Sequence, residues 1–441
     1  MGTRLLAGAA VADITPRSSS FLYGYPHVRR YSTGVHDPLL SAALYLSDGA
    51  TQAMFLSNDL IWVSKETTRR IRERIRSQVP VPAGHIMITA SHTHSGPMTL
   101  DLLSNEADPV VPKTDPEYVD FLEEAIARAA VTAFRNSGPA EAGLAVSHAE
   151  GIGTHRRDPQ SPADPQVPVF LVRRALDARP IACMLVYSMH PTVLHEDSLL
   201  ISADFPGMAR QFLQEKVLGR DCPVLYHTGP AGNQSPRHRV RANSFPEARR
   251  LGCLLGKSVA EAMERIVFRP DHTIACSRVL TDLPRRRIPS CSEAQQRMRA
   301  ARERLELLRE TGAAREQIRT AEVDWFGSEE SWTLAKASGE ARLESFYRSV
   351  LPAEIQSIQV GPWSFVGWPG EVFVEYSLSV KKQFPDVFII SLANGELQGY
   401  IVTPEAEGQG AYEAGNSLFA PESGAILVEK SKELLSRRSP T

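Results

Sequence analysis

The chain has 441 residues, 42% of them hydrophobic and 23% charged, with a formal net charge of −2. That composition is ordinary for a globular protein of enzyme size, and with no basic block in sight it argues against a nucleic-acid partner. The five cysteines, Cys183, Cys222, Cys253, Cys276 and Cys291, are odd in number and scattered, with no C-x-x-C pair, which argues against a disulfide framework or a cysteine zinc site and points to a reducing cytoplasm.

The opening "MGTRLLAGAAVADITP" holds too short an apolar run for a signal peptide. Leu6 breaks the myristoylation pattern, and no window approaches the roughly 18 apolar residues of a membrane span. The expectation is a cytoplasmic protein without a membrane span. A homo-oligomer is left open.

Short apolar runs then alternate with helical patterns. "TQAMFLSNDLIWV" (51–63) predicts a buried strand, and "SKETTRRIRERIRSQV" (64–79) a charged helix capped by Ser64. A second strand follows at 83–91. The long amphipathic helix 115–137 carries Pro116 in its first turn. Strands are predicted at 167–175, 180–190 and 222–229, with helices at 206–219 and 245–266. Late in the chain, 354–370 reads as a β-hairpin. A helix opened by Glu371 and running to about Lys382, a strand at 386–395 and a closing helix at 423–438 complete the pattern. The alternation predicts an α/β fold with a mixed, largely parallel sheet flanked by helices, as one domain over 1–441. A polar helical run at 292–323, broken at Gly312, interrupts it. Its composition favours a solvated helical hairpin over a lid or dimer contact.

Five features stand where a strand meets its loop. In "ITASHTHSGP" (88–97), His92 and His94 are two apart, so in an extended segment both face one side. Imidazole is both the commonest metal ligand and the usual acid–base group near neutral pH. His190 ends the apolar strand in "LVYSMHP", Glu371 follows the Pro-Gly of "GWPGE", Tyr400 lies in "LANGELQGYIVTPE", and "HTGPAGNQSPRH" carries Asn233 and Ser235. Each signal alone is weak, but such loops gather on one side of a parallel sheet, where α/β sites form. Two His and a Glu make a known catalytic zinc set. Two other motifs fail. In "GCLLGKS", Gly252 stands one residue too close to Gly256 for a phosphate loop, within a helical pattern. "GNQSP" lacks the glycines of a nucleophile elbow.

In order, "AGAAVADITP", "GVHDPLLSAALYL", "SNDL", "ITASHTHSGP", "MHPTV", "ISADFPG", "GPAGNQSP", "PGE", "LANGELQGYIVTPE" and "YEAGNSLFAP" resemble the catalytic domain of the neutral (non-lysosomal) ceramidase family, zinc-dependent amidases that cleave the N-acyl bond of ceramide. The resemblance spans nearly the whole chain. It implies Zn2+ held by His92, His190, Glu371 and Tyr400, with His94 as a catalytic residue beside the metal. It also implies a serine needed for activity at Ser235 and a substrate-side arginine at Arg156, where "GTHRRD" has His155 and Asp158 in place of the family's usual residues. His36 and Asp37 of "GVHDPL" are candidates to line the same cleft, with a buried pair at the sheet edge as the alternative, and Asn233 is a further substrate-side candidate.

Members of that family are longer, exported, and carry an additional immunoglobulin-like domain, so the expected substrate is a smaller N-acyl amide rather than ceramide. The alternatives are a ceramidase proper, an ester, lactone or cyclic-amide hydrolase on the same centre, or a non-catalytic ligand-binding protein with a structural metal. A TIM-barrel amidohydrolase also begins with H-x-H, but on its first strand, whereas two strands precede the motif here.

Overall fold

The structure, a computed structural model, describes residues 4–410 and 412–436. Residues 1–3, and the end of the last predicted helix at 437–438, lie outside the described residues. The larger sheet has eight strands: β1 (Leu6–Asp13), β2 (Leu40–Ser47), β3 (Gln52–Asn58), β4 (Ile86–Ala90), β5 (Gly138–His148), β6 (Gln166–Arg174), β7 (Pro180–Tyr187) and β8 (Val224–Thr228). Their spatial order is β8-β7-β6-β5-β1-β2-β3-β4. A second sheet runs β9 (Ile274–Thr281), β10 (Ala353–Val360), β11 (Trp363–Gly367), β12 (Val387–Ile390) in that order. The helices are α1 (Lys65–Arg76), α2 (Pro116–Arg135), α3 (Asp204–Leu213), α4 (Phe245–Met263), α5 (Cys291–Glu310), α6 (Arg315–Gly339), α7 (Leu343–Val350), α8 (Val374–Gln383), α9 (Pro404–Gln409), α10 (Tyr412–Gly415) and α11 (Glu422–Ser436).

The fold is mixed α/β, but the main sheet is mostly antiparallel, which corrects the expectation of a largely parallel one. Of its seven neighbouring pairs, five are antiparallel and two parallel. The cause lies in the connections. β2 reaches β3 through residues 48–51 and β6 reaches β7 through 175–179, links too short for a parallel crossover. Among neighbouring strands of this sheet, only β3-α1-β4 and β7-α3-β8 are joined by helical crossovers, and these are the two parallel pairs. In the second sheet β11-α8-β12 repeats the device, and β11 and β12 are parallel.

Alternating side chains sort the strands into layers. Ala43, Tyr45, Leu56 and Ile88 pack under α1 and α2. Val169, Leu171, Leu185 and Tyr226 pack under α3 and α4. The opposite faces of the same strands, with Leu44, Phe55, Phe170 and Met184, meet Ile358, Phe365 and Phe388 of the second sheet. The far side of that sheet is covered by α7, α8 and α11. The result is four layers, helix–sheet–sheet–helix. Ser64 caps α1 and Asp115 caps α2, with Pro116 in its first turn. Gly252 sits where a Cβ would fall 2.5 Å from Met208 Cβ and 2.7 Å from the Phe205 carbonyl, so the glycines of "GCLLGKS" serve the close packing of α4 on α3.

The 292–323 run resolves into α5 and α6, broken at Gly312 in the left-handed region (φ 64°), but α6 continues to Gly339. α5 is a solvated face with only Ala294 and Leu305 buried. α6 is not: it packs against the 103–105 turn and α10, and Phe326 stacks on His27 at 4.8 Å. All five cysteines are free. Among the described residues no helix is long and apolar enough to cross a membrane.

Candidate metal centre

The chain ends that leave the parallel strands build the site. β4 stops at Ala90, and its continuation is tied down by Ser91 N–H to Asn58 O and His92 N–H to Leu60 O, both 2.8 Å. His92 is not extended, as the i, i+2 argument assumed, but left-handed (φ 69°), a conformation that costs a non-glycine residue energy and is held by its surroundings. The turn brings the His92 and His94 rings edge to face, 4.9 Å apart. His190 follows β7. Glu371 does not open a helix; Glu371 and Val372 pair in parallel with Tyr400 and Ile401, and α8 starts at Val374. Because directly paired residues project to one face, the ladder sets the Glu371 carboxylate and the Tyr400 phenol side by side.

The polar atoms then converge. His92 Nε2 and His190 Nε2 lie 3.3 and 3.1 Å from the same oxygen, Oε2 of Glu371. His92 Nδ1 is 3.0 Å from the Ile61 carbonyl, and His190 Nδ1 is 2.6 Å from that of Ala231 and 3.0 Å from that of Gln234. A carbonyl only accepts, so each Nδ1 carries the hydrogen and each Nε2 presents a lone pair. Burial pushes His190 down to about 4, against the opposing pull of Glu371, so it is neutral at pH 7. Two lone pairs and a carboxylate facing one another without a hydrogen between them repel. A cation at their meeting point removes the conflict, so the donor set fits a metal ion.

The ring nitrogens of His92, His94 and His190 include atoms all within 4.8 Å of one another. His94 differs from the other two, since neither of its ring nitrogens has a hydrogen-bond partner among the described residues. Burial pushes it well below its ordinary value. Its carbonyl is pinned by Arg30 Nη1 at 2.9 Å, and Gly24 (φ 121°) makes room for its ring; a Cβ there would fall 2.5 Å from His94 Cγ.

The centre opens on a partly enclosed cavity lined by His94, His190, Arg156, Ser235 and Tyr400, among others. Arg156 and Ser235 reach it through a two-residue antiparallel ladder, Thr154–His155 with Gln234–Ser235, closed by Arg156 N–H to Asn233 O at 2.8 Å. The Arg156 guanidinium lies 5.0 Å from the centre of the Tyr400 ring and pairs with Glu413. Burial pushes the Tyr400 phenol up, as does Glu371, while Arg156 pulls it down.

Three candidates are placed elsewhere. His36 stacks on Phe245 at 3.8 Å and bonds Asp37, which accepts from Ser202 Oγ at 2.6 Å and Ala203 N–H at 2.9 Å, tying down the start of α3. Asn233 accepts from Val374 N–H and donates to Glu375, holding its loop on α8. None of the three lines the cavity.

Other residues line it that the sequence reading passed over: Tyr25, Arg157, Arg237, Arg319, Phe326, Glu330, Tyr412 and Glu413. Arg157 lies inside the quoted "GTHRRD", Arg237 inside "HTGPAGNQSPRH", and Tyr412 and Glu413 open "YEAGNSLFAP". For α6, Trp325-Phe326 inside a charged run was the available sign.

Neither a family model nor a curated protein matches the chain in sequence. Solved structures do match in fold. A crystal structure of neutral ceramidase from Pseudomonas aeruginosa superposes with a TM-score of 0.75 at 17% identity, over 100% of this chain and 76% of that one. A ceramidase complexed with C2 gives 0.73 at 15% identity, over 100% and 77%. Over its whole length, this chain is built on the fold of neutral ceramidase.

Proposed function

We propose that the protein is a zinc-dependent hydrolase that cleaves an N-acyl amide by attack of water, the substrate being a small N-acyl compound. The observation that carries this reading is the convergence of His92 Nε2, His190 Nε2 and the Glu371 carboxylate at 3.1–3.3 Å with no hydrogen to share. These three, with the Tyr400 phenol, would hold the ion. Mixed nitrogen and oxygen ligands of this kind suit zinc, which when bound supplies Lewis-acid activation of water and of a carbonyl. The shared ceramidase fold supports the amide as the bond attacked.

The chain's own groups do the rest. His94, with both ring nitrogens free toward the cavity, donates to the oxygen that gains charge as the amide carbon becomes tetrahedral, or delivers a proton to the departing amine. Ser235 and Arg156 position the substrate from the facing wall. Metal analysis of the purified protein tests this. About one zinc per chain is expected, falling together with amide hydrolysis in His92→Ala and in Glu371→Gln; an active protein free of metal would overturn the reading.

A further inference from the structure

Four guanidiniums, those of Arg156, Arg157, Arg237 and Arg319, line the cavity. Three are matched by carboxylates: Arg156 and Arg157 by Glu413, Arg157 also by Asp324, and Arg319 by Glu196 and Glu322. Arg237 is not. Among the described residues no carboxylate comes within ion-pair reach of it, and its side chain makes a single long bond, Nη1 to the Arg156 carbonyl at 3.4 Å. Its main-chain N–H is fixed to Ser235 Oγ at 3.2 Å, so its place on the cavity wall is set by the same turn that presents Ser235. Beside it, Arg156 Nη2 is a buried donor with no acceptor.

A guanidinium partly removed from water without a counter-charge is costly. Burial and the crowding of Arg156, Arg319 and Arg157, opposed by Glu413, push Arg237 down to about 10, which leaves it charged at neutral pH. Glu330, the remaining acid on the wall, is pushed up to about 8 by burial and by Asp108 and Glu329, against the hydrogen bonds of Asn105 and Asn416, so it offers no charge to balance it. The wall thus holds unmatched positive charge next to an apolar side made by Val28, Val323 and Phe326.

We infer that the substrate is an anionic amide, an acyl chain with a carboxylate within reach of the scissile bond, and that Arg237 is the residue that selects it by bidentate pairing. This rests on the amide-hydrolase reading above, and it names the substrate class for that site. A planar guanidinium matches a carboxylate with two parallel N–H···O bonds, and a lysine ammonium does not.

The test uses two matched pairs: N-hexanoylglycine with N-hexanoylglycinamide, and N-hexylsuccinamic acid with its primary amide. They place the carboxylate on the amine side and the acyl side of the scissile bond. The wild type should prefer one acid over its amide in kcat/KM. Arg237→Gln should cut that acid-to-amide ratio by about 10- to 100-fold, the range for loss of a charge-assisted bond, chiefly through KM. Arg237→Lys should keep part of the preference, and zinc content should be unchanged in both.

Calorimetric binding of the two acids separates the two readings. If no amide is cleaved but an acid binds and Arg237→Gln weakens it, the anion site stands and the hydrolase reading falls. If amides are cleaved with neither acid preferred, or with a preference that Arg237→Gln leaves intact, the anion site is overturned and the hydrolase reading stands.

Discussion

His92 and His190 each give their Nδ1 hydrogen to a main-chain carbonyl, while neither nitrogen of His94 is engaged. Ligand histidines are usually oriented by such an outer partner, which fixes the tautomer and aims the other nitrogen at the metal. That difference separates three rings whose nitrogens all fall within 4.8 Å of one another. His94→Ala is therefore expected to keep its zinc and lose about 10²- to 10⁴-fold in kcat, read by metal content and turnover on the same preparation. Loss of the metal in that variant would move His94 into the ligand set.

Part of this was legible in the sequence. The residue types and their strand-end positions picked out the histidines, Glu371, Tyr400 and Ser235, and the family resemblance added Arg156 and the expected role of each. What could not be read was the conformation that joins them. A left-handed His92 breaks the period-2 geometry on which the H-x-H argument leaned, and no local pattern announces it. Asp37 and Asn233 are buried and hold helix starts in place, and the exposed His36 stacks on Phe245; sequence alone does not distinguish such positions from a role in the cleft.

At the scale of elements, the strands that deliver the site are those joined by helical crossovers. β4, β7, β8, β11 and β12 all belong to β-α-β units with parallel partners, and the proposed ligands, His94 and Ser235 follow their carboxyl ends, while Arg156 follows the antiparallel β5. The rule about where such loops gather therefore worked locally although the sheet as a whole is mostly antiparallel. The antiparallel partners were missed because β1 and β5, "LAGAAVAD" and "GPAEAGLAVSH", are built from alanine and glycine, which have little strand preference. Continuous apolar runs suggested a parallel sheet because both faces of such strands are buried; here the second sheet supplies the other face.

Short elements also carry weight through single ion pairs. α10 is tied to the 154–158 segment by Glu413, which accepts from both Arg156 and Arg157. Burial alone would raise this carboxyl, but the two guanidiniums hold it down to about 2, below the roughly 4.3 of an unfolded glutamate. A depressed pKa means the stabilisation is complete above about pH 5 and is lost as pH falls toward 2. Glu413→Gln should cost about 3–5 kcal/mol at neutral pH, since it strands a buried guanidinium. Its deficit in thermal stability against the wild type should narrow between pH 5 and pH 3. A deficit that stays constant across that range would show that Glu413 does not act through its charge.

On the scale of the whole molecule, the proposed ligands come from both sheets. His92 and His190 leave β4 and β7 of the larger sheet, and Glu371 and Tyr400 follow β11 and β12 of the smaller one. Elsewhere the two sheets meet through apolar contacts such as Phe55 with Phe365, 5.3 Å between ring centres. At the site they meet through acceptors that repel one another unless a cation lies between them. Zinc would then act as a clasp between layers as well as a reagent, and any ligand bound only by the folded state raises stability by mass action, about 4 kcal/mol at a thousandfold excess over its dissociation constant. For a chain of this size that is a rise in Tm of several degrees. Chelation should lower Tm by that amount and one equivalent of zinc should restore it. Glu371→Gln should have a Tm that neither chelator nor zinc moves, because it removes the carboxylate that joins the smaller sheet to the histidines through the ion. A wild-type Tm indifferent to chelator, in protein shown to have lost its metal, would mean that the layers are held by their apolar contacts alone and that the acceptors share a proton instead.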